Sequence, residues 1–495
     1  MILSELLQCV KDRGLNIIDV TGDTSKEVSD IVYDSRKVTK GCMFVCMKGA
    51  KSDGHSYASQ VAENGAGVII VEDDVPVTGP AIVKVDNSRK ALALFAAAFY
   101  GYPAEKMKII GITGTKGKTT TAHMIKSILE AAGFVTGMIG TNGAFVGKEK
   151  METVNTTPES CELHRLFAWM LGKGCSHVVM EVSSQAYKLG RCEGIHYDIA
   201  AFLNISPDHI GEGEHADFEE YFSCKSKLFD NATCAVVNKH ASRYQEMIKG
   251  VGENYKTVSA GDEADLYADN IKNTWEPGIL GSVFTAHGEI SGEFHLGIPG
   301  AFNVENALAA MQISLIAGAD EKAIREGLMH IDAKGRMQLM RCASPITTLI
   351  IDYAHNAVSM EELLKTLRDY NPKKLTVMFG GGGNRAKARR YEMGEMAGKY
   401  ADYVLITSDN CRMEDVNDIN NDILVGLTKY DVPYDIIIDR KEAIHFLLGK
   451  ADKDEIVVLA GKGHEEYQDI KGVKTHFSEQ EIVEEYMQDW LAKNK

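Results

Sequence analysis

Short continuous apolar runs alternate along this chain with segments whose apolar residues recur at helical spacing. The first runs cover residues 43–47, 68–71 and 82–85, and a helix-like stretch rich in Ala, Leu and Phe follows at 91–100. A further run at 107–113 leads through a glycine-containing turn into an apolar helical face. That face consists of Met124, Ile125, Ile128, Leu129 and Ala132. The pattern predicts strand-loop-helix units.

The same pattern continues to the end of the chain. Apolar runs at 177–182 and 199–205 are separated by helical stretches, which predicts a parallel sheet covered on both faces. Four later runs repeat this arrangement, at 348–352, 375–379, 403–407 and 456–459. Gly/Pro breaks near 101–103 and near 334–335 divide the chain. We therefore expect an α/β protein of three domains: a small α/β domain at 1–102, a central doubly wound parallel-sheet domain at 103–334, and a Rossmann-like domain at 335–495.

Length and charge narrow the class of protein. The chain has 495 residues, which agrees with three domains at roughly 150 residues each. Its 54 Lys and Arg against 70 Asp and Glu give 54 − 70 = −16, a charge that disfavours nucleic acid as a partner. The longest apolar stretch, at 91–100, is too short to insert into a membrane. We expect a cytoplasmic monomer with small-molecule partners.

A phosphate-binding loop is predicted where the 107–113 run meets the next helix. Backbone N–H groups at such a turn, together with a helix N-terminus, bind phosphates. Lys118 is placed to reach the terminal phosphates and Thr119 to ligate Mg²⁺, although the glycine spacing departs from the common pattern. The loop comprises Gly114, Thr115, Lys116, Gly117, Lys118, Thr119 and Thr120. The central domain is therefore predicted to be a P-loop ATPase.

Two further strand ends carry polar residues that could join this site. Glu181 ends the 177–182 run and could hold Mg²⁺, although an acidic residue that caps the next helix is an equally good reading. His209 follows the 199–205 run, where a solvated loop histidine is the default. A basic cluster after residues 380–383 favours an anionic ligand group over a flexible loop. Periodicity alone does not single out Lys225.

Nine sequence motifs, in this order, resemble those of the Mur ligase family. They are GITGTKGKTTT, NTTP at 155–158, MEVSS, NISPDH, the Lys225 segment, GAFNVENALAA at 300–310, GRMQ at 335–338, DYAH at 352–355 and AGKGHE at 460–465. The resemblance spans nearly the whole chain, and it is strongest to the branch that adds the third residue of the peptidoglycan stem peptide. It implies that ATP phosphorylates the carboxylate of a UDP-sugar dipeptide, and that an incoming amine attacks the acyl phosphate.

The resemblance also implies roles in ATP binding and catalysis. Thr119 and Glu181 would hold one Mg²⁺, while Glu181, His209 and a Lys225 carbamoylated by CO₂ would serve a second. Asn306 would contact adenine. Arg336 and Asp352 would reach the phosphates and ribose, so catalysis would need domain closure.

The substrate residues follow from the same resemblance. Asp34-Ser35-Arg36 and Asp53-Gly54-His55 resemble the family's uridine-binding domain, with Ser35 as a ligand contact. The UDP-sugar peptide would be bound by Thr156, Thr157, Ser184 and Arg191. The incoming amino acid would meet Arg390, Asp409, Asn410, Arg412, Gly461 and Glu465. Family members that add diaminopimelate carry an arginine at the position of Arg412, whereas members that add lysine lack it, so meso-diaminopimelate is expected.

Four positions depart from the family pattern around the substrates. Gln185 replaces a His, Asn384 an Asp, and both Tyr391 and Cys411 a Pro. L-lysine or another amino acid as substrate, or a divergent paralogue, therefore stays open. A folylpolyglutamate synthetase would share the ATP loop but would not need the N-terminal hundred residues. A guanine-specific P-loop switch would want Asn-Lys-x-Asp, and Asn238-Lys239-His240 is followed by Ala241.

Overall fold

The computed structural model describes residues 1–494 apart from 50–51, 212, 277–278 and 332. The chain forms two compact units. The first contains 1–258 and 309–320, and the second contains 259–308 and 321–494 of the described chain. Within the described chain, no helix is long and apolar enough to cross a membrane.

The N-terminal part of the first unit is a small α/β layer. Its helices are α1 (Leu3–Asp12), α2 (Ala58–Glu63) and α3 (Ser88–Phe99), with short 3-10 helices at Ser35–Lys37 and Gly54–Tyr57. Its strands are β1 (Ile17–Thr21), β2 (Ile31–Val32), β3 (Met43–Val45), β4 (Val68–Val71) and β5 (Ala81–Val85). The strand order is β1-β5-β4-β3-β2, with β1 antiparallel to β5 and the other pairs parallel. Helix α3 begins where the Asn87 side chain accepts from Lys90 N, and it buries the predicted Ala/Leu/Phe face.

The central part of the first unit is built on a longer sheet. After a 3-10 helix at Pro103–Lys106, its strands are β6 (Lys108–Thr113), β7 (Thr136–Gly140), β8 (Gly143–Val146), β9 (Glu149–Met151), β10 (His177–Glu181), β11 (Tyr197–Phe202), β12 (Ala232–Asn238) and β13 (Tyr255–Ala260). Its helices are α4 (Lys118–Ala131), α5 (Ser160–Gly172), α6 (Ser184–Lys188), α7 (Phe218–Asp230) and α8 (Tyr244–Met247), with a 3-10 helix at Lys249–Val251.

Strand β6 lies at the middle of this sheet, whose order is β13-β12-β11-β6-β10-β7-β8-β9. The strands from β13 to β7 are parallel, so the ends of β6, β10 and β11 share one edge. The predicted parallel sheet is confirmed here. Because parallel strands open their carboxyl ends to ligands, this edge is where a site is expected.

The second unit begins with an antiparallel ribbon that the apolar pattern did not predict. Its strands are β14 (Leu266–Glu276), β15 (Ile279–Gly288) and β16 (Gly292–Leu296), in that order. Two helices follow along the chain: α9 (Phe302–Ala317), whose residues from 309 onward belong to the first unit, and α10 (Glu321–Met329). The pairing of β14 with β15 is irregular between Asp269 and Lys272, and the alternation of buried and exposed residues along β14 is interrupted there. The sequence therefore lacks the regular period of two that predicts a strand.

The C-terminal part of the second unit is a doubly wound sheet, as predicted. Its strands are β17 (Gln338–Leu339), β18 (Thr348–Asp352), β19 (Lys374–Phe379), β20 (Tyr403–Ile406), β21 (Tyr434–Ile436) and β22 (Glu455–Ala460), with the hairpin β23 (Tyr467–Ile470) and β24 (Val473–His476). Its helices are α11 (Ala357–Arg368), α12 (Lys387–Tyr400), α13 (Val416–Leu427), α14 (Arg440–Lys450) and α15 (Glu479–Lys493), with a 3-10 helix at Arg341–Ala343. The order is β17-β18-β22-β19-β20-β21, parallel from β18 to β21. Loops after β19, β20 and β22 therefore emerge side by side.

Candidate active site

The predicted phosphate-binding loop joins β6 to α4. Gly117 has φ +86°, a conformation that a side chain would strain, and α4 begins at the next residue. The Nζ of Lys118 donates to Gly114 O at 2.7 Å and to Thr115 O at 3.2 Å. Thr120 continues the helix, and Lys116 is exposed at the turn. The loop residues therefore lie together in the arrangement that phosphate binding requires.

Asn204, just beyond β11, fixes the shape of this loop. Its Oδ1 accepts from Thr115 N at 3.1 Å and from Lys116 N at 2.9 Å, and its Nδ2 donates to Lys116 O at 3.1 Å. The sequence reading did not assign Asn204 a role. The sequence does contain a signal for this role, because Asn204 is the first residue of the NISPDH motif and follows a predicted strand.

Glu181 lies beside Thr119, as the predicted metal site requires. The Thr119 hydroxyl donates to Glu181 Oε2 at 3.0 Å, and Thr141 N donates to Oε1 at 2.9 Å. The carboxylate is 1% exposed, and a Cβ at Gly140 would stand 2.1 Å from Oε1. Hydroxyl and carboxylate oxygens are the ligands that Mg²⁺ prefers, so these two residues fit a magnesium ion.

Lys225 is buried in α7 next to the same loop. Its Nζ donates to Gly114 O at 3.0 Å and lies 3.5 Å from Thr113 Oγ1 and 4.7 Å from the centre of the Tyr221 ring. Burial, and then the Lys118 ammonium, lower its pKa well below the usual range. Within the described chain, no carboxylate pairs with Lys225. A carbamate on Lys225 stays a prediction.

His209 is not brought into contact with these groups. It has φ +53°, its side chain is exposed, and its Nδ1 lies 3.0 Å from Glu214 Oε1. Across the described residues it bonds neither Glu181 nor Lys225. Its ring centre is 6.4 Å from that of Tyr221, the ring that also borders Lys225. His209 as a metal ligand stays a prediction.

The residues expected to bind the UDP-sugar peptide lie along the end of β10. Thr157 Oγ1 donates to Glu181 O at 2.9 Å, and Arg191 Nη1 donates to Thr157 O at 3.1 Å. The hydroxyls of Thr156 and Thr141 are 3.1 Å apart. A buried histidine that the sequence reading missed, His215, meets Ser184 Oγ through Nε2 at 2.9 Å. Ser35 is the first residue of the 3-10 helix Ser35–Lys37 in the N-terminal part.

The expected nucleotide contacts of the second unit are ordered locally. Asn306 Nδ2 donates to Asn303 Oδ1 at 3.0 Å. Asp352 accepts from Met337 N and Ala354 N, each at 2.7 Å, and burial raises its pKa. The Arg336 guanidinium lies 5.5 Å from the centre of the Tyr353 ring. The roles of these residues toward ATP stay predictions.

The residues expected to bind the incoming amino acid come together in the second unit. One pocket follows the strand ends of β19, β20 and β22, and all six lie in its wall. The six are Arg390, Asp409, Asn410, Arg412, Gly461 and Glu465. Tyr353, His355, Arg385 and Arg389 also line it. Separate strand-end motifs therefore form a single cavity.

A buried lysine that the sequence reading overlooked ties the acidic side of this pocket together. Lys462 has no exposed surface, and its Nζ lies 3.2 Å from Asn410 Oδ1 and 3.5 Å from Glu465 Oε2. It is also 3.7 Å from Asp409 Oδ1. Asn410 Nδ2 donates to Glu465 Oε2 at 2.8 Å. The sequence signal for Lys462 is its position within the AGKGHE motif, one residue after Gly461.

The arginines of the pocket differ in their partners. Arg390 Nη1 donates to Asp422 Oδ2 and its Nη2 to Glu414 Oε1, both at 2.8 Å, and its side chain is 2% exposed. Arg412 donates to a main-chain oxygen, Gly383 O, at 2.6 Å. Among the described residues, Arg385, Arg389 and Arg412 pair with no carboxylate, and burial with these neighbouring cations lowers the pKa of Arg389. The predicted contact of Arg390 with substrate therefore competes with two carboxylates.

The departures from the family pattern have local explanations in the second unit. The N–H of Cys411 donates to Asp409 O at 3.0 Å, a bond that proline could not make. Asn384 has φ +55°, a conformation that asparagine tolerates, and its Oδ1 accepts from Met413 N at 3.2 Å. Tyr391 OH lies 3.5 Å from Asp422 Oδ1. These residues shape the pocket wall without occupying it. In the first unit, Gln185 lies in α6, one residue after Ser184.

Comparisons with known proteins agree with this architecture. The family model of the Mur ligase middle domain matches residues 112–314, that of the Mur ligase glutamate ligase domain 335–463, and that of the Mur ligase catalytic domain 27–100. The UDP-N-acetylmuramoyl-L-alanyl-D-glutamate–2,6-diaminopimelate ligase of Clostridium perfringens (strain 13 / Type A) is 39% identical over 98% of this chain and 99% of its own length. The ligase of the same name from Caldanaerobacter subterraneus subsp. tengcongensis is 38% identical over the same shares.

Solved structures give the same answer at the level of the fold. A structure of a UDP-N-acetylmuramoyl-L-alanyl-D-glutamate–2,6-diaminopimelate ligase superposes with a TM-score of 0.71 at 27% identity, covering 99% of both chains. A folylpolyglutamate synthase from Thermotoga maritima reaches a TM-score of 0.59 at 18% identity and covers 75% of this chain and 89% of its own. The three-domain α/β expectation is confirmed, and the protein belongs to the Mur ligase family.

Proposed function

We propose that this protein is an ATP-dependent ligase that joins meso-diaminopimelate to UDP-N-acetylmuramoyl-L-alanyl-D-glutamate in cytoplasmic peptidoglycan precursor synthesis. The full-length relatives carry the corresponding name at 38–39% identity. The products are the UDP-sugar tripeptide, ADP and phosphate. We keep 1–102, 103–334 and 335–495 as the proposed UDP-sugar, ATP and amino-acid domains, and a monomer as the proposed state.

The observation that carries this proposal is the distribution of charge in the second unit's pocket. Arg385, Arg389 and Arg412 face it without carboxylate partners among the described residues, and Asp409 and Glu465 lie in the same wall. Diaminopimelate has a carboxylate and an ammonium at both ends, whereas lysine lacks the distal carboxylate. A distal carboxylate would pair with these arginines, whereas lysine would leave them without an anion when it fills the cavity, so such a pocket favours the dicarboxylate.

The residues of the first unit suit the first half of the reaction. Lys118, on the phosphate-binding loop, neutralises the terminal phosphates of ATP as one phosphoryl group moves to the substrate carboxylate. Family membership implies ATP and Mg²⁺. When bound at Thr119 and Glu181, the ion supplies positive charge beside the phosphates. Thr156, Thr157, Ser184 and Arg191 hold the peptide end of the UDP-sugar, with Ser35 at the uridine.

The second half of the reaction is an acyl transfer. The amine of the incoming amino acid attacks the carbonyl carbon of the acyl phosphate, a C–N bond forms, and the C–O bond to phosphate breaks. The amine loses a proton and phosphate leaves with the electron pair. Asp409, Asn410, Gly461 and Glu465 orient the distal end of the amino acid in this proposal, and Arg412 binds its distal carboxylate.

A carbamate on Lys225 is part of the same proposal. The support is structural: the amine is 2% exposed, and its acceptors are the neutral oxygens of Gly114 and Thr113. A carbamate would place an anion next to the phosphate-binding loop. Carbamate oxygens are metal ligands, which an ammonium cannot be.

The experiment that tests the function is a phosphate-release assay with purified protein, ATP, Mg²⁺ and UDP-N-acetylmuramoyl-L-alanyl-D-glutamate. Each candidate amino acid is added separately, and the nucleotide product is separated by chromatography. We expect meso-diaminopimelate to give ADP and phosphate at a kcat/KM far above that of L-lysine. Equal use of lysine would reassign the substrate. AMP and pyrophosphate would mean an adenylating ligase, and turnover with a folate substrate instead would mean a folylpolyglutamate synthetase.

A further inference from the structure

Arg440, outside the pocket wall, has a buried guanidinium that contacts both loops of the amino-acid pocket. It is the first residue of α14, after the capping residue Asp439, and only 1% of it is exposed. A cation at a helix N-terminus is unfavourable for the helix itself. Its position therefore needs an explanation outside helix α14.

The partners of Arg440 supply that explanation. Its Nη1 donates to Ser408 O at 3.0 Å, and its Nη2 donates to Ala460 O at 2.8 Å. The residue after each of these carbonyls is in the pocket wall: Asp409 follows Ser408, and Gly461 follows Ala460. One planar group therefore bonds the main chain of both loops just where each enters the pocket.

The two loops are not neighbours in the sheet. Ala460 ends β22, and Ser408 follows β20, with β19 between the two strands. Ladder hydrogen bonds do not join β22 directly to β20. The Arg440 guanidinium bridges them across the end of β19, where a Cβ at Gly380 would stand 2.3 Å from Thr407 O. At the ends of these strands the two loops are therefore joined directly by a side chain, in addition to their shared pairing with β19.

Glu479 holds this guanidinium in place. It is the first residue of α15, and its Oε1 accepts from Arg440 Nε at 2.9 Å and lies 2.7 Å from Nη2. Both side chains are fully buried. Burial raises the pKa of Glu479 and the arginine opposes this rise. A planar guanidinium fixed by a carboxylate offers its remaining donors in a rigid geometry that lysine cannot copy.

We propose that Arg440, oriented by Glu479, is a positioning residue that sets the separation of the 408–412 and 460–465 loops, and so determines the affinity for the distal end of the incoming amino acid. This inference rests on the proposed function. On the pocket side, the Asn410–Glu465 hydrogen bond spans the same gap and depends on that separation. ATP binding and phosphoryl transfer use other residues and are not expected to respond.

The test compares three variants with the wild-type enzyme in steady-state kinetics and in calorimetric titration with meso-diaminopimelate. Arg440→Met with Glu479→Met replaces the buried pair by apolar side chains of similar length, a change that often preserves stability. Arg440→Lys keeps the charge but can reach fewer acceptors. Thr376→Val is the matched control, because it removes a buried hydrogen bond to Glu455 at the opposite end of β19 and β22.

We expect the double variant to raise the KM for diaminopimelate about tenfold or more, with kcat within about threefold and the KM for ATP within about twofold. Arg440→Lys should fall between it and the wild type, and Thr376→Val should leave kcat and both KM values unchanged. If KM for diaminopimelate does not move in either Arg440 variant, the inference is wrong. If all parameters fall together with the melting temperature, as in a purely structural defect, it is also wrong. A wild-type enzyme that ignores diaminopimelate would refute the proposed function itself.

Discussion

The phosphate-binding loop and the amino-acid pocket both bond cations to main-chain oxygens, but the pocket also places acidic groups in the same wall. Around the loop, cations meet main-chain or neutral oxygens: Lys118 and Lys225 both donate to Gly114 O. In the pocket, Arg412 likewise donates to Gly383 O, and Arg385, Arg389 and Arg412 line one cavity together with Asp409 and Glu465. The loop is built for a ligand that every family member uses. Arg385, Arg389 and Arg412 pair with no carboxylate among the described residues, and these charges can select one amino acid over another.

The largest expected effect is at the loop. Lys118→Ala should lower kcat on the order of 10³-fold, because phosphoryl transfer depends on positioned charge at the terminal phosphates. Phosphate release and chromatography of ADP measure this effect. Lys126→Ala is the matched control, since it removes a lysine of the same helix whose ion-pair partner in the described chain is Glu130. Near wild-type turnover in Lys118→Ala would show that this loop does not bind the terminal phosphates of ATP.

Lys225→Ala should lower kcat on the order of 10²-fold. If the lysine is carbamoylated, small carboxylic acids such as formate or acetate should restore part of the activity, because they can occupy the place of the carbamate. Lys227→Ala, an exposed lysine of the same helix, should lose little activity and gain none from the acids. Full activity in Lys225→Ala, or an unmodified lysine in well-resolved density of the active enzyme, would refute the carbamate.

Arg412→Ala sharpens the comparison from the pocket side. Truncating one partner of a buried charge pair typically costs about 2 to 5 kcal/mol, which corresponds to a loss of roughly thirtyfold to several thousandfold in the preference for diaminopimelate over lysine. The measurement is kcat/KM for both amino acids. A ratio that stays the same in the variant would show that Arg412 does not bind the distal carboxylate.

Arg390→Ala should instead act mainly on stability. Its guanidinium is buried between Asp422 and Glu414, so its loss leaves Asp422 with the exposed and more distant Lys387 ammonium at 3.6 Å and should cost about 3 kcal/mol of unfolding free energy. Arg385→Ala is the matched control, because this exposed arginine pairs with no described carboxylate and should leave the melting temperature nearly unchanged. Equal melting temperatures in both variants would show that Arg390, despite its two carboxylate partners, contributes no more to stability than Arg385 does.

The smallest effect concerns a buried histidine of the first unit. Burial lowers the pKa of His164 to about 4 from an ordinary value of 6.5. Below pH 6.5 the unfolded chain binds a proton that the folded chain does not, so stability falls as the pH drops from about 6.5 towards 4, by up to about 1.4 kcal/mol per pH unit.

His164→Leu should make the free energy of unfolding less dependent on pH between about 6.5 and 4. Above pH 7, where the histidine is neutral in both states, the substitution should not alter the pH dependence. Trp169, on the same helix, reports unfolding in a Trp275→Phe, Trp490→Phe background used for both proteins. Urea unfolding at pH 7.5 and at pH 5.5 gives the comparison. The same pH dependence in both proteins would mean that other groups cause it.

The local sequence predicted those parts of the candidate site that a single segment of the chain forms. The phosphate-binding loop follows from a strand, a glycine turn and Lys118-Thr119, and Glu181 follows from the end of a buried strand. The sites of Asn204, Lys462 and Arg440 could not be predicted in this way, because their partners lie tens of residues away or across a strand. Nor could the sequence show that Arg390 is occupied by Asp422 and Glu414, since this depends on how α12 packs against α13.

The cysteine that replaces proline beside Arg412 has a consequence for chemical probes. Cys411 is 4% exposed, its Sγ lies 3.5 Å from Asp409 O, and burial raises the pKa of its thiol. A thiol reacts with electrophiles as the thiolate, and here that form is disfavoured and covered. A covalent inhibitor aimed at this pocket should therefore not rely on Cys411. Anionic groups that engage Arg385, Arg389 and Arg412 are the better route to tight binding.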